Sequence, residues 1–153
     1  MKKTILVTGG AGVIGLSIME LFYKRGFNVI AAGVTKQANI KQLQKKFNSK
    51  RSLLMNIELT SSRNVKKVVK ASVKKFKKID ALINCAGIQF VMPIDKYPEK
   101  VWRKMMDINL TTPFLFTKEI LPIMRKNKWG RIVNIASTHG LIGSVNKSAY
   151  TAS

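Results

Sequence analysis

Residues 4–15 read Thr-Ile-Leu-Val-Thr-Gly-Gly-Ala-Gly-Val-Ile-Gly, an apolar run that passes directly into a turn rich in glycine. The run from Thr4 to Thr8 is short, apolar and rich in β-branched residues, which predicts a buried strand. After the turn, Ile14 and Ile18 follow helical spacing, and Gly26 is a typical C-cap for that helix. The stretch therefore predicts a strand, a tight turn and a helix in direct succession.

The glycines of this turn suit the phosphates of a dinucleotide. Gly9 permits the tight turn, Gly12 lets a pyrophosphate approach the backbone, and Gly15 lets the helix pack closely on the strand. The N-terminus of the helix adds free N–H groups and the positive end of its dipole. The predicted cofactor contacts in this segment are Thr8, Gly9, Gly12, Val13, Ile14 and Gly15. The alternative is a glycine-rich connection that binds no ligand.

Short apolar runs and amphipathic segments alternate along the rest of the chain. Further strands are predicted at Asn28–Ala32, Ser52–Met55, Ala81–Asn84 and Arg131–Ala136. Helices are predicted around Ile40–Phe47 and Val65–Phe76, from Pro98 through Ile108, and from about Thr112 to Lys126. Strands that are buried on both faces and each followed by a helix predict an α/β fold with a doubly wound parallel sheet of the Rossmann type. Residues 1–153 are expected to form a single dinucleotide-binding domain with its ligand crevice at the carboxyl ends of the strands.

The charge is strongly unbalanced, with 28 Lys or Arg against 7 Asp or Glu and a formal net charge of +21. A surplus of this size suggests a nucleic acid or an anionic membrane as a partner. However, half of the basic residues lie between Lys36 and Lys78, where Val65–Phe76 reads as an amphipathic helix with a lysine face. Lysines also far outnumber arginines, which form the bidentate contacts of specific readers. We therefore expect a solvated lysine surface with no specific nucleic-acid partner, and weak non-specific anion binding stays open.

Several classes of protein are excluded by the remaining composition. The single cysteine, Cys85, cannot form an intramolecular disulfide, and no Cys/His cluster suits zinc, so no metal site is expected. The apolar run Ile5–Val7 is too short for the core of a signal peptide. No stretch approaches the ~18 apolar residues of a membrane span. The expected location is the cytoplasm, without membrane attachment.

The end of the second strand lacks the acidic residue that would bond the ribose hydroxyls of NAD. Residues 32–36 read Ala-Gly-Val-Thr-Lys, and Lys36 could tolerate the extra phosphate of NADP. Glu58, just past the third strand, is a candidate for contact with the adenine amine, or alternatively a cap of the next helix. The residues leave the choice between NAD and NADP open.

Polar residues in four later segments complete a pattern. They are Asn84, Ala86 and Gly87 after the fourth strand, then Asn109, Ser137 and Tyr150. Together with the glycine turn, they resemble the short-chain dehydrogenase/reductase family, although Cys85 stands where a second Asn is usual. The resemblance implies that the nicotinamide cofactor lies over Asn84, Ala86 and Gly87. It also implies that Ser137 polarises the substrate carbonyl, Tyr150 transfers the proton and Asn109 supports a relay water.

The second half of the chain is similar to one branch of this family, the D-3-hydroxybutyrate dehydrogenases. The similar segments are Gly87–Val91, Trp129–Ile132, Asn134–Leu141 and Lys147–Tyr150. The resemblance implies that Gln89, His139 and Lys147 hold the carboxylate of the substrate. A cation and two neutral donors around a small anion in a cleft are chemically suitable for this. The implied reaction is hydride transfer between NAD and the CH–OH group of a small hydroxy acid, D-3-hydroxybutyrate or its oxidised form acetoacetate.

Two departures from the family pattern affect these expectations. The family places a Lys four residues after the Tyr, which would be position 154, whereas the sequence ends at Ser153. We therefore expect a domain truncated after the fifth strand and the start of the following helix, inactive in isolation, whose full-length relatives form homo-oligomers. Second, Val13 gives the spacing of an extended, epimerase-like branch. That branch and a non-catalytic nucleotide-binding remnant are the alternatives.

Overall fold

Five parallel strands form one sheet in the computed structural model, which describes residues 2–153. The strands are β1 (Thr4–Thr8), β2 (Asn28–Gly33), β3 (Ser52–Asn56), β4 (Ala81–Asn84) and β5 (Arg131–Asn134). The helices are α1 (Val13–Lys24), α2 (Gln37–Lys46), α3 (Ser62–Phe76), α4 (Glu99–Met106), α5 (Thr112–Lys126) and α6 (Ser148–Ala152). In the described part of the chain, no helix has the length and apolar character needed to cross a membrane.

The strand order β3-β2-β1-β4-β5 confirms the predicted doubly wound α/β fold. Thr4 pairs with Asn28 of β2, and Ile5 pairs with Ala81 of β4, so β1 lies at the centre. The chain winds outward in one direction through β2 and β3 and in the other through β4 and β5. Because the direction reverses between β1 and β4, a crevice opens at their carboxyl ends. The glycine turn after β1 lies at this point.

Apolar side chains alternate between the two faces of the sheet and bury both. Leu6, Ile30 and Leu82 belong to the core that the sheet forms with α3 and α5. Val7 and Ile83 belong to the opposite core, which α1 and α2 cover. Each strand needs apolar residues at successive positions to fill both layers, which explains the continuous apolar runs in the sequence. This two-sided burial fixes the strand ends that carry the candidate site.

Several element boundaries differ from the sequence predictions; α4, for example, ends at Met106 instead of Ile108. β5 ends at Asn134 instead of Ala136 because its partner β4 ends at Asn84. The N–H of Ile135 still donates to the carbonyl of Asn84, at 2.9 Å, before the chain leaves the sheet. Helix α3 begins three residues earlier than predicted, at Ser62.

The lysine face of α3 is solvated, as predicted, since Lys66, Lys67 and Lys70 are exposed. Lys75 is exposed as well, but its Nζ donates to the carbonyls of Ser49 and Ser52, each at 2.7 Å. It thereby ties the end of α3 to the start of β3. Lys78, two residues beyond α3, is partly buried and forms an ion pair close to the amino end of β4.

That pair involves Asp80, the most buried carboxylate of the described chain. Asp80 is 4 % exposed, and its Oδ2 accepts a hydrogen bond from the N–H of Thr4 at 2.7 Å. Its own N–H donates to the carbonyl of Thr4 at 2.8 Å. Lys78 Nζ lies 3.1 Å from Oδ1. One side chain therefore fixes the register of β4 beside β1.

Replacement of Asp80 by Ala should lower the free energy of unfolding by about 2–4 kcal/mol, because it strands the Thr4 N–H and the Lys78 ammonium in a nearly dry site. Urea denaturation measures this loss. The matched control is Glu99→Ala, which removes a carboxylate whose pair with Arg103 is exposed to solvent. The control should change stability by less than about 0.5 kcal/mol. Equal losses in the two variants would contradict the role assigned to Asp80.

Candidate active site

Close contacts within the glycine turn explain two of its glycines. Gly9 has a φ of +66°, and a Cβ on it would lie 2.9 Å from the Cα of Ala86. A Cβ on Gly15 would overlap the carbonyl oxygen of Gly9. Gly12 is less crowded, since a Cβ there would meet only that same carbonyl, at 3.3 Å. The side of Gly12 away from this carbonyl therefore remains open to the crevice.

The N-terminus of α1 presents unpaired backbone donors to this open side. The first bond of the helix runs from the N–H of Leu16 to the carbonyl of Gly12, at 2.8 Å. The N–H groups of Val13, Ile14 and Gly15 precede this first helical donor and therefore have no acceptor within the helix. No side chain caps this end, and its first turn holds no acidic residue. The arrangement can bind an anion through backbone N–H groups and the helix dipole.

Val13 fits this turn although many family members have glycine there. Its backbone is that of a first helical residue, and its φ is not positive. The side chain is 87 % exposed and lies on the wall of the crevice. No backbone constraint therefore requires glycine at position 13, and the substitution changes the shape of the wall instead.

A cavity of about 430 Å³ extends from the glycine turn across the ends of β1 and β4. Of the predicted cofactor residues, it is lined by Gly9, Gly12, Val13, Ile14, Gly15, Glu58, Ala86 and Gly87. Val34, Leu59 and Ile108 add apolar walls that the sequence analysis missed. These three come from separate parts of the chain and share no local pattern, so only the folded chain brings them together. We call this cavity the cofactor cleft.

Two polar residues organise the outer end of the cofactor cleft. Glu58 lines the cleft, and its Oε1 accepts from the N–H of Thr60 at 2.8 Å, just before α3. Asn56, which the sequence analysis missed, accepts from the N–H of Thr35 at 3.0 Å and closes the end of β2. Lys36 is exposed and directly precedes α2. At this end of the cleft, therefore, no acidic residue follows β2, and Lys36 is not held in place by a bonding partner among residues 2–153.

Two of the predicted cofactor residues, Thr8 and Asn84, are buried and act on the protein itself. Thr8 Oγ1 accepts from the N–H groups of Cys85 and Ala86 at 3.0 and 3.1 Å. Asn84 Nδ2 donates to Oδ1 of Asn134 at 2.8 Å, across the β4–β5 pair. Both residues therefore position the loop after β4 rather than line the cleft.

Asn109 lies in a single π-helical segment, Asp107–Thr111, between α4 and α5. Pro113 has no N–H to bond the carbonyl four residues earlier, which is that of Asn109. The side chain of Asn109 accepts from the N–H of Ile88 at 2.9 Å and donates to its carbonyl at 3.0 Å. Because the amide bonds both backbone groups of one residue, it holds the loop after β4 in place. Such π-helical turns are frequent at functional sites.

A second cavity, of about 530 Å³, joins the inner end of the cofactor cleft. It brings together four of the predicted catalytic and substrate-binding residues, namely Gln89, Asn109, Ser137 and Tyr150. Residues from Cys85 to Ile88 line both cavities. A dinucleotide in the cleft would therefore place its inner end beside Ser137 and Tyr150.

His139 and Lys147 lie next to this second cavity rather than in its lining. The rings of His139 and Tyr150 meet edge to face with their centroids 6.2 Å apart. Lys147 Nζ lies 3.0 Å from Nε2 of His139. Because an ammonium group can only donate, this contact is a hydrogen bond in the tautomer whose Nε2 carries no proton and accepts. Ser137 Oγ accepts from the N–H of His139 at 3.2 Å, which links the two ends of this cluster.

Cys85 stands at the junction of the two cavities. Its thiol is free and half-buried, and burial raises its pKa above the ordinary value for cysteine. The thiol is therefore a neutral, weakly polar group where the family pattern has an amide. Because Cys85 is the one cysteine in the sequence, a thiol reagent would label the protein at this junction alone.

Comparison with known proteins finds relatives that match almost the whole chain. Residues 3–153 match the family described as short chain dehydrogenase. The chain is 36% identical over 154 residues to a D-beta-hydroxybutyrate dehydrogenase of Cupriavidus necator, and covers 58% of that protein with 98% of itself. It is 31% identical over 150 residues to a 3-oxoacyl-[acyl-carrier-protein] reductase of Vibrio cholerae, and covers 61% of that protein with 98% of itself.

A solved structure has the same fold as this chain. The crystal structure of a short-chain dehydrogenase from Streptomyces avermitilis superposes with a TM-score of 0.92 at 26% sequence identity. The match covers 99% of this chain and 55% of that one. The chain thus spans between half and two thirds of the length of the proteins it matches. Its sheet order, its glycine turn and the match over residues 3–153 show that it belongs to the short-chain dehydrogenase family.

Proposed function

We propose that this chain is part of an enzyme that transfers hydride between NAD and the carbinol carbon of a small hydroxy acid, D-3-hydroxybutyrate first of all. The observation that carries the proposal is the His139–Lys147 pair beside Tyr150. It places an ammonium group and an imidazole ring at the edge of the cavity that contains the predicted acid–base residue. A small anionic substrate suits such a pair.

The nicotinamide ring supplies the hydride acceptor or donor when the dinucleotide is bound. N–H groups at the start of α1 would hold the pyrophosphate, and the loop after β4 would support the nicotinamide end. In the oxidation, Tyr150 would take the hydroxyl proton and Ser137 would donate to the oxygen as its charge develops. Asn109 would hold the loop in register and support a relay water. Lys147, His139 and Gln89 would bind the carboxylate.

NAD is the proposed cofactor, and discrimination against NADP is expected to be weak. An acid at the end of β2 would favour NAD strongly, and a fixed cation would favour NADP. Neither group is present, since Lys36 is exposed and Asn56 bonds the backbone of Thr35. The proposal also places the enzyme in the cytoplasm, where a free thiol such as Cys85 stays reduced. Homo-oligomer formation by the full-length enzyme belongs to the same proposal.

A reductase of larger 3-oxoacyl substrates is the second candidate. Leu141, Ile142 and Val145 are 90%, 71% and 83% exposed in the loop between Ser137 and Lys147. Apolar side chains in this position would suit an acyl chain better than a four-carbon acid. The relative from Vibrio cholerae carries a name of this kind. The charged pair at Lys147 favours the small acid.

Substrate class can be tested by thermal stabilisation, which needs binding and no turnover. Acetoacetate should raise the melting temperature further in the presence of NADH, and acetoacetyl thioester should do so less. Lys147→Met should remove at least three quarters of the added shift and leave the shift with NADH alone unchanged. Lys41→Met, on the exposed side of α2, is the matched control. A rise in melting temperature with NADH but no further rise with acetoacetate would contradict the proposed substrate. No rise with either ligand would contradict the proposed cofactor.

Alkylation of Cys85 should report occupancy of the cofactor cleft. Because burial raises the pKa of this thiol, its reaction with iodoacetamide should be slower than that of glutathione at pH 8. The rate should rise with pH as the thiolate forms. Saturating NAD should slow alkylation at least fivefold by covering the junction of the two cavities. Mass spectrometry measures the rate, with adenosine alone as the control; equal protection by adenosine would contradict the placement of the nicotinamide end.

A further inference from the structure

The amino ends of the five strands form the edge of the sheet opposite the cofactor cleft. Backbone hydrogen bonds run along this edge from strand to strand. The N–H of Val29 donates to Arg51, that of Asn28 donates to Lys3, and that of Arg131 donates to Asp80. The segments that enter the strands therefore lie side by side in one row.

Basic residues occupy this row at every strand. We define the basic edge by six exposed side chains, Lys3, Arg25, Lys50, Lys77, Lys128 and Arg131. They precede or begin β1 to β5, so they come from all parts of the chain. Four of the six arginines of the protein, Arg25, Arg51, Arg125 and Arg131, lie at this end. The concentration of arginine distinguishes this edge from the lysine-coated faces of α2 and α3.

Acidic residues do not neutralise the basic edge. Asp80 is buried and already paired with Lys78, and Glu20 on α1 is paired with Lys46. Glu58, Glu99 and Asp107 line a cavity at the other end of the molecule. In the described part of the chain, no salt bridge joins an acidic side chain to any of the six residues of the basic edge.

The need to offset helix dipoles explains only some of the cations at this edge. Lysines in the last turn of a helix offset the negative end of its dipole. Lys3, Lys50 and Arg131 lie outside the helices and have no such role. Lys77 and Lys128 adopt φ angles of +69° and +53°, a left-handed conformation in which glycine or asparagine is more favourable. Lysine therefore stands at two positions that the backbone alone would give to other residues.

An aromatic side chain lies within the basic edge. The ring of Trp129 is 37% exposed, with Lys3 Nζ 4.1 Å and the Arg131 guanidinium carbon 5.3 Å from it. Partly exposed aromatic rings among cations are the stacking platforms of proteins that bind single strands. Insertion into a bilayer is less suitable here, because strongly exposed apolar residues such as Val13, Ile14 and Val34 belong to the cleft end.

We propose that the basic edge binds single-stranded nucleic acid without sequence specificity, with the phosphates on its cations and a base stacked on Trp129. The surface is separate from the cofactor cleft, so the two ligands bind independently. Binding of this kind uses the backbone charge that every sequence shares.

Fluorescence anisotropy with a labelled oligouridylate of about 16 nucleotides tests the proposal. The logarithm of the binding constant should fall with the logarithm of salt concentration with a slope of about −2 to −4. The combined variant Lys3→Glu, Lys128→Glu and Arg131→Glu should weaken binding by roughly 30-fold or more at low salt. The control is the combined variant Lys96→Glu, Lys100→Glu and Lys104→Glu, which changes net charge equally on exposed positions elsewhere. It should weaken binding less than about threefold.

Base stacking needs a second comparison. Trp129→Leu should weaken oligouridylate binding about tenfold and leave binding of inorganic polyphosphate unchanged. Circular dichroism and the thermal shift with NADH check that each variant is folded. The proposal is overturned by equal losses in the two charge variants, by no effect of Trp129→Leu, or by tighter binding to vesicles of equimolar phosphatidylcholine and phosphatidylserine. If the variants of the basic edge still bind NADH, a loss of nucleic-acid binding is distinguished from damage to the proposed cofactor site.

Discussion

The contact between the turn after β1 and the loop after β4 is the constraint on which the candidate site depends. Gly9 has no side chain, so its backbone packs directly against Ala86, where a Cβ would come within 2.9 Å. The buried hydroxyl of Thr8 accepts from the N–H groups of Cys85 and Ala86. These bonds satisfy backbone donors where the strands have ended and no ladder partner remains. The crevice at the reversal of strand order therefore has a fixed floor, and both cavities are built upon it.

The same loop is held from its other side by a local defect in a helix. Between α4 and α5 the chain adopts π-helical spacing, and Pro113 cannot bond the carbonyl of Asn109. The Asn109 amide bonds both backbone groups of Ile88. Thr8 and Asn109 thus hold neighbouring parts of one loop from the sheet and from a helix. A ligand that crosses from the cofactor cleft into the second cavity passes over a loop with little freedom to move.

The fold was predictable from local patterns, whereas much of the site's geometry was not. Apolar runs and the glycine turn located all five strands, because burial on both faces of a parallel sheet leaves a direct signal. The reciprocal bonds of Asn109 with Ile88 and the Asn56 bond to Thr35 join residues far apart in the chain, and no spacing rule reveals them. The roles of Ser137, His139 and Tyr150 came from family resemblance and stay predictions, although the structure places these residues together. The sequence also showed the lysine excess but not the row of basic residues along the amino edge of the sheet, which depends on topology.

A parallel α/β fold separates two kinds of electrostatic environment, and this chain accentuates the separation. Helix N-termini converge on the carboxyl edge of the sheet, where their dipoles favour phosphate. Helix C-termini converge on the amino edge, where the dipoles are negative and attract cations. Lysines in the last turns first offset those dipoles, so they produce less field than their number suggests. Cations outside the helices, such as Lys3 and Arg131, add to the field without being offset. The protein therefore offers anions two sites of different character, backbone N–H groups in a crevice and side-chain charges on an open surface.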